Sequence, residues 1–153
     1  MNDLEAVSLI CTILANVVVV VSVILIIWQL VEARRATQAQ AYSFVVERLQ
    51  DEEVRDARRI VFKKLKEKPL ENWTEEERKT AEKVCHTYDA VGIMVRHKLL
   101  PREIVIDSWG NSLLHSWDIL APLVENYRQE FDAIETWDDY QWLASEAKKH
   151  LSR

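Results

Sequence analysis

The chain carries 26 consecutive uncharged residues, Ala6 to Val31, most of them Val, Ile or Leu, and no other feature limits its folding as strongly. A helix of that length reaches roughly 39 Å, enough to cross a hydrocarbon core of about 30 Å with some tilt. Lipid offers backbone amides no water, so one isolated segment there must be helical. Val17 to Val21 would weaken a helix in water, but lipid overrides that preference. A cleaved leader is the competing explanation, because "AQA" at Ala39 to Ala41 has the small residues of a cleavage site. Leaders want a basic start and a short apolar stretch. This start is acidic, at Asp3 and Glu5, and two arginines precede the "AQA". A retained membrane helix is therefore expected.

The flanks orient it. No Lys or Arg precedes the run, whereas Arg34 and Arg35 follow it, so the positive-inside rule puts the carboxyl side in the cytoplasm. Trp28 stands where an interfacial aromatic belongs. Leaving Asp3 and Glu5 out of the total of −5, the remainder carries −3, which does not suit nucleic acid as a partner. Past the span only Cys85 remains, so no disulfide can close within that part, consistent with a reducing compartment.

Two glycines, three prolines and the lack of strict alternation indicate an all-α chain. No breaker occurs before Gln50, so one helix is expected to continue out of the membrane to Leu49. Asp51 suits the cap of a second helix, with Val54, Ala57, Val61 and Leu65 as its buried stripe and Pro69 as its stop. Thr74 with Glu77 forms a capping box ahead of a third helix facing inward through Ala81, Val84, Cys85, Tyr88, Val91 and Val95. Pro101 is expected to open a short helix through "REIVIDSWG". A longer one follows with Leu113, Leu114, Trp117, Leu120, Val124 and Tyr127 inward, kinked or bounded at Pro122. Trp137 to Leu151 closes the chain. The organisation is thus a transmembrane helix at 1–31, its continuation at 32–50 and a cytoplasmic helical bundle at 51–153.

Four groups of residues invite a functional reading. Ser8, Thr12 and Asn16 repeat every four residues, and Ser22 lies on an adjoining line. Polar and small residues spaced this way in lipid are typical of helix–helix contacts, and with one span the partner must be another chain. Self-association is the leading reading, and a lone asparagine near the outer interface is the other. Trp28, Arg34 and Arg35 mark the interface. Arg55, Arg59, Lys63 and Lys66 lie opposite the second helix's apolar stripe, a face suited to an anionic ligand or to plain solvation. Tyr88, Asp89, Trp109 and Trp117 are either core bulk, with Asp89 bonding an indole or a helix end, or the walls of a small-ligand pocket. Cys85, His86, His97, His115 and His150 are too scattered for a metal, no glycine loop cradles phosphate, and Arg78 and His86 are too far apart for a helical ribonuclease pair. No enzyme, metal or cofactor is expected.

The pattern Tyr88-Asp89, Gly92, "LLP", Trp109-Gly110, Trp117, Pro122, Arg128 and "WLASEAKKH" resembles a family of uncharacterised bacterial proteins. They have one amino-terminal membrane helix followed by a small helical cytoplasmic domain. The resemblance implies that topology and fold but supplies no catalytic residues. Lys98 stands where a glycine would precede "LL", which speaks against a looser turn there. The leading expectation is a single-pass inner-membrane protein that homo-oligomerises and perturbs or permeates the bilayer, pore-like, in stress or phage defence. The alternative is a membrane-tethered module that binds a cytoplasmic protein partner or small ligand.

Overall fold

The computed structural model describes residues 3–152, with side chains from 7 onward. The first two residues of the expected span and Arg153 of the expected bundle lie outside the described residues. Five helices follow in order, and no strand occurs among the described residues: α1 (Asp3–Gln50), α2 (Glu52–Ile60), α3 (Glu75–Arg96), α4 (Arg102–Phe131) and α5 (Asp138–Leu151). The chain divides into two compact units, Met1–Ala39 and Gln40–Arg153.

The first unit is one helix, long and apolar enough to cross a membrane. Its Val, Ile and Leu side chains from Val7 to Val31 are all exposed.

The second unit closes its own core. It begins ahead of the Asp51 boundary, because Val45 and Leu49 near the end of α1 are fully buried within it. Asp51 Oδ1 accepts the Glu53 and Val54 amides at 3.0 and 3.3 Å, which stops α1 and starts α2. The stripe Val54, Ala57, Val61 and Leu65 is buried. α2 widens at its end into a π-helical turn, Val61–Leu65, and Pro69 then takes extended backbone. Thr74 and Glu77 form the reciprocal capping box at the head of α3.

α3 packs against α5 and α4, and α4 crosses the π turn. All six residues expected on the inner face of α3 are buried. The expected break near Gly110 is absent: α4 is one helix of 30 residues, and Pro122 lies inside it without ending it. Gly110 stays helical because it faces α5, where an added Cβ would lie 3.2 Å from Leu151 Cδ1 and 3.8 Å from Ala147 Cβ. Pro122 is exposed, so its ring is accommodated on the solvent side.

The turn after α3 is tight. Leu99 N–H donates to Met94 at 2.9 Å and Lys98 N–H to Val95 at 3.0 Å, the paired bonds of a Schellman motif. Lys98 adopts φ 60° to make them, in the region that glycine occupies without strain.

Candidate functional site: a basic and aromatic groove on the helical domain

Arg55, Arg59 and Lys63 are four residues apart, so they line one side of α2 and the π turn while the stripe from Val54 to Leu65 is drawn into the core. The π turn carries Phe62 and Lys63, and its contact with α4 brings Trp109 and Ser112 alongside. The result is a groove of about 550 Å³ lined by Arg55, Arg58, Arg59, Phe62, Lys63, Trp109 and Ser112. Two sets of residues that look unrelated in the sequence, the basic face and Trp109, thus share one site. Lys66 falls outside it, in a second depression with Leu65, Pro69, Trp73 and His115.

Arg58, Phe62 and Ser112 complete the groove and are not evident as a group in the sequence. Arg58 Nη2 donates to the Leu49 carbonyl at 2.5 Å, and Nη1 lies 3.5 Å from the Tyr88 hydroxyl. That hydroxyl shares a hydrogen bond with Ser112 Oγ at 2.8 Å. Arg59 pairs with Asp56 at 2.9 Å, an exposed contact of little energetic weight. Trp109 leans on Tyr42, with ring centroids 6.3 Å apart, and Phe62 meets the His115 ring edge-on.

Tyr88, Asp89 and Trp117 are not among the residues that line the groove with Trp109. Tyr88 is buried and stacks on Tyr140 at 5.3 Å, while Trp117 presents its edge to Tyr140 at 4.9 Å. Ser116 Oγ, also buried, bonds the Tyr140 hydroxyl at 2.7 Å, and burial pushes that phenol well above its ordinary pKa. Asp89 Oδ1 accepts the Tyr140 backbone N–H at 3.0 Å. Trp137, the residue ahead of α5, has φ 56° and offers no side-chain cap. Asp89 therefore caps α5 from another helix. Gly92 lets α5 approach α3: a Cβ there would stand 2.4 Å from the Asp139 carbonyl oxygen.

Arg78 and His86 also hold the fold together. Arg78 donates to the Leu70 carbonyl at 3.1 Å, and His86 Nδ1 accepts the Trp137 indole N–H at 3.2 Å. The Cys85 thiol is fully buried, which pushes its pKa far up and leaves it unreactive. Arg128 donates to the Thr136 carbonyl and the Gln141 side chain, tying the α4–α5 connection. No group of three or more His, Cys, Asp or Glu suited to a metal occurs among the described residues.

In the apolar helix, the Thr12 hydroxyl donates to the Ser8 carbonyl at 2.9 Å and the Ser22 hydroxyl to Val18 at 2.8 Å. Neither donor needs a second helix. The Asn16 amide has no hydrogen-bond partner among the described residues. Trp28 is exposed, as are Arg34 and Arg35, the latter 3.8 Å from Glu32.

The model of the family described as "Domain of unknown function (DUF4760)" matches residues 16–147, most of the apolar helix and nearly all of the domain. The chain belongs to that family. The DUF4760 match takes in the groove, the Asp89 cap and Asn16 together. No curated protein and no solved structure matches the chain.

Proposed function

We propose that this chain is a single-pass protein of a bacterial inner membrane, amino end outside, whose cytoplasmic helical domain is a tethered binding module. The observation that carries the reading is the groove: four cationic and two aromatic side chains converge on a domain that has its own core. The basic flank at Arg34 and Arg35 supports the orientation.

The membrane half of the test is extraction and labelling. The full chain resists carbonate extraction, and in a Cys11→Ser background a cysteine introduced at Ser152 reacts with an impermeant maleimide only after lysis. Extraction by carbonate, or labelling of intact spheroplasts from outside, ends the topology. The binding half is amide exchange. A small-molecule cell extract slows exchange across α2 and Val61–Leu65 in the full chain, but not when Arg55, Arg59 and Lys63 are all changed to Gln. Equal exchange in both proteins ends the binding-module reading.

Asn16 favours a second reading, self-association in the bilayer with membrane perturbation as its outcome. A lone amide in hydrocarbon is costly, whereas the neighbouring hydroxyls are satisfied within their own helix. Under this reading Asn16→Leu lowers the mass of the detergent-solubilised particle and stops dye leakage from vesicles. A monomeric parent particle ends it.

A further inference from the structure

We propose that the groove between α2, the π turn and α4 binds a small organic phosphate bearing a flat ring, the chemistry of a nucleotide. The proposal rests on the binding-module reading and names the ligand class for it.

Charge is the first argument. The chain carries a net −5, yet Arg55, Arg58, Arg59 and Lys63 line this groove with no acid among its lining residues. Asp56 offsets Arg59 alone, and Arg55 and Lys63 make no ion pair among the described residues. Like charges four residues apart on a helix repel one another, and a bound anion relieves that repulsion. A single carboxylate is a poor match for four cations. A phosphate chain brings several charges, and its oxygens suit the planar guanidinium fork.

Preorganisation is the second. Arg58 is half-buried and held by the Leu49 carbonyl, while the Tyr88–Ser112 hydrogen bond fixes a hydroxyl beside it. One cation and one polar wall are therefore in place before any ligand arrives, which reduces the ordering that binding requires. The π turn adds to this. Such turns are rare and concentrate at functional sites, and this one carries Phe62 and Lys63.

The rings are the third. Trp109 and Phe62 are half-buried, each supported by a second ring, so a planar base can stack without ordering a loose side chain. The volume of about 550 Å³ suits one small molecule. A lipid headgroup shares the phosphate but lacks the ring, so Trp109 separates the two sources.

Purified full chain in a neutral detergent is titrated with ADP, inorganic phosphate and short-chain phosphatidylglycerol, reading melting temperature and calorimetric heat. ADP raises the melting temperature and binds more tightly than inorganic phosphate. Arg55→Gln with Lys63→Gln weakens ADP binding at least about tenfold and flattens its salt dependence. Trp109→Leu weakens ADP about tenfold and leaves inorganic phosphate unchanged. Circular dichroism confirms that each variant is folded, and Lys66→Gln serves as the neutral control. Binding of phosphatidylglycerol with indifference to Trp109 keeps the phosphate site and assigns its source to lipid, overturning the nucleotide. Silence toward all three probes, with the parent folded, overturns the proposal. If an extract still protects α2 in that case, the binding module stands and only the ligand class is wrong.

Discussion

Lys98 holds a left-handed backbone at the C-terminal turn of α3, a conformation costing a side-chain-bearing residue about 1 kcal/mol or more. Lys98→Gly therefore raises stability by about 1 kcal/mol, read as a higher denaturation midpoint at unchanged slope. Asp89 makes a pH-dependent case. Burial raises its pKa, the Tyr140 amide pulls the other way, and Asp139 adds to the rise. With the folded value above the ordinary 3.8, its contribution is full below that value and is lost as pH climbs through the folded one. Asp89→Asn keeps an acceptor at the cap without a charge to bury. Its stability relative to the parent thus grows as melts are taken from about pH 4 toward neutrality. Asp89→Ala loses the cap, at about 1 kcal/mol where the parent carboxyl is protonated and less toward neutrality. Glu77 has the opposite sign, since its hydrogen bond to Lys68 lowers its pKa and that stabilisation is lost as pH falls.

Among the elements, caps and stops were the most legible parts of the sequence, because they are local. Asp51, Pro69 and the Thr74–Glu77 box act on neighbours a few residues away, and their chemistry needs no tertiary partner. The internal stretch of α4 was illegible for the converse reason. Gly110 and Pro122 read as punctuation, and only the packing of α5 shows why the helix continues past Gly110. The two glycines accordingly differ in what they tolerate. Gly92→Ala drives a methyl into the Asp139 carbonyl, backbone against backbone, and costs about 3 kcal/mol. Gly110→Ala meets side-chain methyls rather than backbone, Ile106 Cγ2 at 3.1 Å and Leu151 Cδ1 at 3.2 Å, and the helix-propensity gain of about 1 kcal/mol offsets the strain. Urea melts of the two variants should therefore separate clearly. The groove was half legible: the spacing of Arg55, Arg59 and Lys63 is visible in the sequence, but their meeting with Trp109 depends on which helix crosses the π turn.

For the whole molecule, the second unit should survive without the apolar helix, and the cut-point matters. A chain starting at Gln40 keeps Val45 and Leu49 and unfolds as one cooperative, water-soluble unit. One starting at Asp51 loses two fully buried side chains, at about 2–5 kcal/mol for a leucine-sized loss alone, and should be molten or aggregated. Calorimetry of the two fragments decides this. The cap that Asp89 supplies to α5 also bears on the order of folding. Helix α5 has no side-chain cap of its own at its first turn, so the Tyr140 amide finds its acceptor only when α3 has formed and docked. α1, α2 and α3 can nucleate from local signals, whereas α5 waits for a long-range encounter and belongs to the late side of the barrier. In pulsed exchange during refolding, the Tyr140 amide should gain protection after those of α3, and Asp89→Ala should speed unfolding while leaving the folding rate nearly unchanged.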